Sequence, residues 1–267
     1  MGQTRLKEAF GLQGKTALIT GGGTGLGYAI AECMAAAGAQ VVIAGRREDV
    51  LKEACGKIGN GAAYVRYDVT DREEAPKLAE QILAQYGHLD ILVNNAGIHC
   101  KKPVQDVQYE DLLKVMDTHL FGAYALTQAF LPHMRERRSG NIQFISSMSA
   151  FIGLTNVSAY AAAKGAVTSL VRAMAGEISD QGIRVNGIVP GFIDTPMFRQ
   201  VTEQDLPRKE KILGHTPMKC FGTPEDIGWA AVYLASQASG FVTGTMLMVD
   251  GVCATGFSKM GGRKHRD

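Results

Sequence analysis

The sequence has little of what marks secreted, metal-binding or membrane proteins. Its 267 residues include five cysteines, an odd number without a CxxC pair, so we expect neither a disulfide framework nor a bound metal. No apolar run approaches the roughly 20 residues of a membrane helix. Residues 1–12 carry Arg5, Lys7 and Glu8 where a secretory signal has an apolar core. We therefore expect a cytoplasmic protein, or one in a comparable reducing compartment, with no membrane partner.

The chain also lacks a strong charge of either sign. The formal net charge is +2, which is too small to indicate nucleic acid as a partner. Most of the local basic excess lies in residues 259–267, which is typical of a solvated tail. Hydrophobic residues make up 46% of the chain and charged residues 20%, as in an ordinary globular protein.

What the chain does contain is a regular alternation of short apolar runs and helix-forming stretches. Such an alternation predicts an α/β fold, namely a single Rossmann-type, doubly wound parallel sheet of about seven strands flanked by helices over residues 1–267. Strands are predicted at 16–20, 40–44, 63–67, 91–93, 141–146, 183–189 and 246–249, and helices at 28–37, 48–58, 72–86, 109–134 and 158–177. Residues 1–11 and 258–267 are predicted to be peripheral tails. The irregular insert 194–216 is predicted to be a substrate lid.

A glycine-rich loop lies between the first predicted strand and the first predicted helix. Glycines let the backbone approach a pyrophosphate without a Cβ clash, and the helix N-terminus directs unpaired N–H groups at phosphates. A purely structural turn has the same composition, but this placement favours a dinucleotide site. The residues assigned to it are Gly21, Thr24, Gly25, Leu26 and Gly27.

The end of the second predicted strand indicates which dinucleotide binds. A carboxylate there would accept hydrogen bonds from the NAD ribose and repel a 2′-phosphate. This chain has Gly45-Arg46-Arg47 instead, and the Arg46 guanidinium can contact a 2′-phosphate. The two arginines could also form an ordinary solvated turn. We expect NADP(H) as the preferred cofactor, with NAD(H) as the alternative.

Several motifs in order make the sequence similar to the short-chain dehydrogenases/reductases, in their single-domain branch. The similarity covers residues 12–251. It is carried by Thr20-Gly21-x-x-x-Gly25-x-Gly27, Asn94-Asn95-Ala96-Gly97, Ser147 with Tyr160-x-x-x-Lys164, Arg184-Val185-Asn186, Pro190-Gly191-Phe192-Ile193-Asp194-Thr195 and Val249-Asp250-Gly251.

The resemblance implies further cofactor contacts and an assembly. Members of the family are often homotetramers, so we expect one here. The implied contacts are Asp68 and Val69 for the adenine, Asn94, Ala96 and Gly97 for the ribose side, Pro190, Gly191, Ile193 and Thr195 for the nicotinamide carboxamide, and Lys164, beside Tyr160, for the nicotinamide ribose.

Tyr160 and Lys164 can manage the proton that a hydride carrier leaves to the protein. A free tyrosine has a pKa of about 10, and a neighbouring ammonium is expected to lower it. Residues four apart share one face of a helix. We expect Tyr160 to give its proton to a substrate carbonyl and Ser147 to hydrogen-bond the same oxygen. Without the surrounding motifs, a packed tyrosine, a surface lysine and a strand-end hydroxyl would be the simpler interpretation.

Two histidines stand out. His119 replaces a family asparagine that supports a water chain carrying protons from the lysine. It could carry protons itself, since imidazole donates and accepts and has an ordinary pKa of about 6.5. It could instead pack in the helix, or mark lost activity. We favour the first and expect a pH inflection from it. His99 either faces the substrate or lies at the surface.

The expected activity is hydride transfer between NADP(H) and a secondary alcohol or ketone. The general pattern resembles gluconate 5-dehydrogenase-like members, so a small sugar acid or polyol is favoured. Two alternatives stay open: a 3-oxoacyl-thioester reductase and a non-catalytic NADP(H)-sensing protein. The candidate pocket residues are His99, Met148, Phe151, Gly153 and Phe192 with the insert; Arg199, Arg208, Lys209 and Lys211 could meet a carboxylate or belong to an exposed lid.

Overall fold

The computed structural model describes residues 2–195, 198–199 and 205–256. Within these residues the strands form one parallel sheet in the order β3-β2-β1-β4-β5-β6-β7. This confirms the predicted fold class, and no strand end differs from its predicted position by more than one residue. The strands are β1 (Thr16–Thr20), β2 (Gln40–Gly45), β3 (Ala63–Arg66), β4 (Ile91–Asn94), β5 (Gly140–Ile145), β6 (Ile183–Pro190) and β7 (Met246–Val249).

Helices cover both faces of the sheet. Successive side chains of β1 point to opposite faces: Ala17 and Ile19 pack with one set of helices and Leu18 with the other. Because both faces are buried, the strands are apolar throughout. The first set is α2 (Gly25–Ala36), α3 (Glu48–Ile58) and α9 (Pro224–Ala235); the second is α4 (Ala75–Tyr86), α6 (Gly122–Arg137) and α7 (Ser158–Ile178).

One predicted helix is interrupted. The stretch predicted at 109–134 consists of α5 (Tyr109–Met116), a π-helical turn (Asp117–Phe121) and α6. π turns occur mostly as single turns within α-helices, often at functional sites. This one places the side chains of Thr118 and His119 in buried positions. A Cβ at Gly122 would lie 2.0 Å from the Val69 carbonyl oxygen, so a glycine is required for α6 to pack this closely on the chain after β3.

The strand order reverses between β1 and β4. These strands are adjacent in the sheet, with Ile19 opposite Val93, although two strands separate them in the chain. In open α/β sheets ligands bind in the crevice at the carboxyl ends of such a pair. The glycine-rich loop after β1 and the segment after β4 are therefore neighbours.

The ends and the insert complete the chain. The predicted N-terminal tail contains α1 (Gly2–Phe10), whose Phe10 ring lies 6.5 Å from the Tyr233 ring on α9. The tail at 258–267 and residues 196–197 and 200–204 of the insert lie outside the described residues; the rest of the insert includes α8 (Leu206–His215). In the part of the chain that the structure describes, no helix is long and apolar enough to span a bilayer.

Candidate active site

The glycine-rich loop forms a close junction between β1 and α2. A Cβ on Gly27 would lie 2.2 Å from the Gly21 carbonyl oxygen, so only glycine allows this approach. Gly21 and Gly25 have φ of +66° and +57°, a conformation that favours glycine. Thr24 occupies the N-cap of α2 without a side-chain capping hydrogen bond, and Leu26 is half-buried. The loop geometry fits a pyrophosphate at the start of α2.

Thr20 joins this loop to the segment after β4. Its Oγ1 accepts hydrogen bonds from the backbone N–H groups of Asn95 and Ala96, both at 3.0 Å. The Asn95 side chain donates to the Thr20 carbonyl oxygen at 2.8 Å. Neither Thr20 nor Asn95 was assigned a role from the sequence, although both lie in the quoted motifs. Together they set the distance between the predicted pyrophosphate and ribose contacts.

The predicted ribose end of the site carries exposed cations. Arg46 and Arg47 follow β2, and Arg46 Nη1 lies 3.9 Å from Asp68 Oδ2. The Asp68 carboxylate also accepts hydrogen bonds from the backbone and hydroxyl of Thr70, at 3.0 and 2.9 Å. Val69, next to it, is buried. An exposed ion pair at this distance is weak. The Arg46 guanidinium could therefore leave Asp68 and bind a phosphate at little energetic cost.

Asn94 and Gly97 lie further along the same crevice. Asn94 ends β4 and is buried, and its amide donates to the hydroxyl of Thr127 at 3.2 Å. Its Oδ1 is buried and has no hydrogen-bond partner among the described residues. A buried polar atom without a partner is costly in an apolar interior. A ligand group in the crevice would satisfy it.

The residues predicted to hold the nicotinamide are Pro190, which ends β6, and Gly191, Ile193 and Thr195, which follow it. A Cβ at Gly191 would lie 2.6 Å from the Asp250 Cα, so the two segments touch through backbone. Ile193 forms an isolated parallel bridge with Gly222. The bridge ties the base of the insert to the segment just before α9. These residues fit an extended dinucleotide lying along the carboxyl ends of the strands.

Ser147, Tyr160 and Lys164 meet at the end of β5. Tyr160 and Lys164 lie on one face of α7, as predicted, with Lys164 Nζ 5.6 Å from the centroid of the Tyr160 ring. The Ser147 hydroxyl lies close enough to the Tyr160 phenol to act on its pKa. Lys164 is 4% exposed, and its Nζ donates to the Ile145 carbonyl oxygen at 2.6 Å. Burial lowers the pKa of Lys164 from 10.5 to about 7.

The pKa of Tyr160 is raised, not lowered. Burial of the phenol is the larger cause, and the Ser147 hydroxyl only opposes it. The predicted lowering by an adjacent ammonium is wrong here because Lys164 Nζ is directed at the Ile145 carbonyl and is itself desolvated. Tyr160 is consequently a protonated phenol at neutral pH, which is the form that donates a proton to a carbonyl.

His119 is buried beside Tyr160 as a neutral imidazole. Burial, followed by the charge of Lys164, lowers the pKa of His119 to about 3, so the expected pH inflection from His119 has no basis near neutral pH. Its Nε2 lies 3.0 Å from the Ile98 backbone nitrogen and 2.8 Å from the Ile98 carbonyl oxygen. An unprotonated Nε2 accepts a hydrogen bond from the Ile98 N–H, whereas a protonated Nε2 donates one to the Ile98 carbonyl oxygen. The tautomer of His119 decides which of the two forms. The absence of a side chain at Gly97 lets the His119 ring come this close to the backbone, because a Cβ at position 97 would lie 2.4 Å from His119 Cε1.

His99 is exposed and lies against the ring of Tyr160. Its ring stacks on the Tyr160 ring with centroids 4.8 Å apart and planes at 28°. Partial burial and the charge of Lys164 lower the pKa of His99. The pocket hypothesis for His99 is therefore the one consistent with its position.

The described part of the insert holds an aromatic cluster and an ion pair. The Phe198 ring lies 5.9 Å from that of Phe192 and 5.1 Å from that of Phe221. Arg199 makes a bidentate contact with Asp194, at 2.7 and 2.9 Å. Of the cations suggested for a substrate carboxylate, Arg199 is thus already paired.

Comparisons with known proteins find similar sequences and structures over most of the chain. The profile of a family described as Enoyl-(Acyl carrier protein) reductase matches residues 21–252. The 3-oxoacyl-[acyl-carrier-protein] reductase of Thermotoga maritima is 36% identical over 245 residues, covering 90% of this chain and 98% of that protein. The 5-keto-D-gluconate 5-reductase of Escherichia coli is 34% identical over 249 residues, covering 92% and 98%. A crystal structure of a gluconate 5-dehydrogenase from Burkholderia cenocepacia, in complex with NADP and tartrate, is similar with a TM-score of 0.90 and 32% identity, covering 94% and 100%.

Proposed function

The chain belongs to the short-chain dehydrogenase/reductase family, and we propose that its substrate within that family is a small sugar acid or polyol. It is an oxidoreductase that uses NADP(H) and acts on a secondary alcohol or ketone. NADP(H), when bound, supplies the hydride. The chain's own residues bind the cofactor, orient the substrate and manage the proton.

The arrangement of Ser147, Tyr160 and Lys164 is the observation that supports the reduction of a carbonyl or the oxidation of an alcohol. Tyr160 donates its phenolic proton to the substrate oxygen, and Ser147 donates a hydrogen bond to that same oxygen. The raised pKa of Tyr160 keeps the proton available for reduction. Lys164, with a pKa of about 7, is suited to give a proton back to the phenolate afterwards.

The cofactor contacts follow the crevice from β2 to β6. Arg46 and Arg47 receive the 2′-phosphate, and Asp68 with Val69 receives the adenine. The remaining contacts are the loop residues Gly21, Thr24, Gly25, Leu26 and Gly27 for the pyrophosphate, Asn94, Ala96, Gly97, Tyr160 and Lys164 for the ribose side, and Pro190, Gly191, Ile193 and Thr195 for the carboxamide. The position of these residues along one edge of a single sheet supports the assignment.

A sugar acid is the first choice of substrate. The reductase of Escherichia coli and the dehydrogenase of Burkholderia cenocepacia support it by name. The relative in Thermotoga maritima, at 36% identity, keeps a 3-oxoacyl thioester as the second candidate. NADPH oxidation, followed by absorbance with sugar acids, diketones and acyl thioesters, separates the two. A non-catalytic NADP(H) sensor would bind the cofactor and reduce none of these compounds.

We also infer one domain and a homotetramer. Strands from residue 16 to residue 249 belong to one sheet. Large apolar side chains are exposed on two parts of the surface: Tyr109, Leu113, Phe121 and Tyr124 on α5, the π turn and α6, and Trp229 with Phe241 near α9. Two separate apolar faces are what a tetramer of identical chains needs. Sedimentation analysis of the wild type and of Trp229→Ala tests it.

The five cysteines are all free thiols, which agrees with a cytoplasmic location.

A further inference from the structure

The ring of His99 lies on the face of the Tyr160 ring. The centroids are 4.8 Å apart and the planes are nearly parallel. His119 contacts the edge of the same ring, at 5.3 Å and 86°. Tyr160 is therefore bounded by two imidazoles, but they differ in access: His119 is buried, whereas His99 is exposed to the cleft. A substrate whose oxygen meets the Tyr160 hydroxyl must lie next to His99.

The backbone on both sides of His99 is anchored. Ile98 is held at its nitrogen or its oxygen by His119 Nε2, at 3.0 and 2.8 Å. Cys100 is buried in a small cluster with Val115, Ala159 and Ala163. Two residues further on, the backbone N–H of Lys102 donates to the Asn156 carbonyl oxygen, with a distance of 2.9 Å between the nitrogen and the oxygen. The His99 side chain is thus presented to the cleft from a fixed segment, which is the condition for a specific contact.

The chemistry of the position suits a hydroxyl. A neutral imidazole has one donor and one acceptor nitrogen, which matches the donor and acceptor character of an alcohol. A carboxylate would be better met by a cation, but the cations located here are engaged: Lys164 Nζ with the Ile145 carbonyl and Arg199 with Asp194. Of the other pocket candidates, Met148 is buried and Phe192 is partly exposed.

We propose that His99 hydrogen-bonds a hydroxyl on the carbon next to the reacting carbon, and so selects hydroxylated ketones over plain ones. The assignment deepens the proposed function, since a sugar acid carries such a hydroxyl. It makes His99 a substrate-contacting residue that determines specificity, in addition to the proton donor Tyr160. It also makes His119 a positioning residue for His99, acting through Ile98.

A matched pair of substrates tests the proposal. 2-Hydroxycyclohexanone and cyclohexanone differ by one hydroxyl on the carbon next to the carbonyl. The wild type should prefer the hydroxylated ketone in kcat/KM. His99→Phe keeps an aromatic ring on Tyr160 but has no polar atom. Its ratio of kcat/KM for the hydroxylated ketone to kcat/KM for cyclohexanone should fall about tenfold, or about 1.4 kcal/mol, mainly through the KM of the hydroxylated ketone. His99→Gln should recover part of the loss, because its amide donates and accepts.

A binding measurement keeps the test independent of turnover. Calorimetry with the enzyme–NADPH complex, which cannot oxidise an alcohol, should show tighter binding of trans-1,2-cyclohexanediol than of cyclohexanol to the wild type, and about equal binding to His99→Phe. An unchanged preference in His99→Phe, in rate or in binding, would overturn the role of His99. A wild type that reduces hydroxycyclohexanone but no sugar acid would instead overturn the proposed substrate and leave His99 standing.

Discussion

The imidazole of His119 stands edge-on to the ring of Tyr160, with centroids 5.3 Å apart and planes at 86°. This contact joins the π turn between α5 and α6 to the predicted proton donor on α7. The Nδ1 atom of His119 is buried and has no hydrogen-bond partner among the described residues. The residue therefore supports the site by position, through Tyr160 and Ile98, and not by gaining and losing a proton near neutral pH.

The first prediction concerns replacement of His119. His119→Ala should lower kcat/KM and cost roughly 1–3 kcal/mol of stability, because it removes a buried ring and the contact to Ile98. His119→Asn should recover much of both, since an amide can meet the Ile98 N–H or its carbonyl. With the His119 pKa at about 3, the wild type and His119→Asn should share one pH–rate profile.

Rates across the pH range and melting temperatures of the three proteins check this prediction. An inflection near the ordinary histidine pKa of about 6.5, present in the wild type and absent in His119→Asn, would restore the proton-carrying hypothesis. A His119→Ala enzyme with wild-type rate and lower melting temperature would reduce His119 to a packing role.

The second prediction concerns the proton donor. Tyr160→Phe should abolish turnover, because the ring remains between His99 and His119 but the proton is gone. Its affinity for NADPH, measured by fluorescence titration, should fall far less than its turnover, because the ring that borders the ribose remains. Lys164→Ala should lose both activity and cofactor affinity, since the lysine is assigned to the ribose as well. A Tyr160→Phe variant with wild-type rates would contradict the mechanism.

The third prediction concerns cofactor choice. Arg46→Ala should weaken NADPH binding by about 1.5–3 kcal/mol, the value of a hydrogen bond to a charged group, and leave NADH nearly unaffected. Gly45→Asp should shift preference towards NADH, because the new carboxylate repels a 2′-phosphate. The site has room for it: a Cβ at Gly45 would come no closer than 3.4 Å to Leu51.

Calorimetric titration of both cofactors against the wild type and the two variants measures these shifts. Lys57→Ala is the control, since Lys57 is an exposed cation on α3 that is assigned to no cofactor contact. Equal affinities of the wild type for NADPH and NADH would remove the basis for assigning Arg46.

Particular residues show how far the sequence could lead. The strands were predictable because segments such as Ala17–Ile19 are buried on both faces and are apolar throughout. The partners Ser147 and Tyr160 were predictable only through the family resemblance, since they lie on different elements. The raised pKa of Tyr160 was not predictable, because it depends on burial and on where Lys164 Nζ points. The π turn at His119 likewise has no signal in the hydrophobic pattern.

The fourth prediction is that the buried ammonium of Lys164 destabilises the folded protein, and that this destabilisation decreases as the pH rises. The pKa of Lys164 is about 7 in the folded protein against an ordinary value of 10.5. Between these two values the unfolded chain holds a proton that the folded chain does not, so the free energy of unfolding contributed by this group rises with pH. Below about pH 7 both states are protonated, and the cost of burying the ammonium is present in full.

Lys164→Met keeps an unbranched side chain in the same space without the charge. It should be inactive, and it should be more stable than the wild type at pH 7 and below. That advantage should shrink as the pH rises towards 10.5, because the wild-type lysine loses its proton in the folded state. Tyr160, whose pKa lies above 10.0, stays protonated at lower pH and does not contribute to this change in stability. Urea unfolding of both proteins from about pH 7 to about pH 9 measures the gap.

Lys57→Met, on the exposed side of α3, controls for the loss of a surface ammonium. A gap between wild type and Lys164→Met that stays constant across this range would show that Lys164 keeps its ordinary pKa in the folded enzyme, and would remove Lys164 as the group that returns a proton to Tyr160.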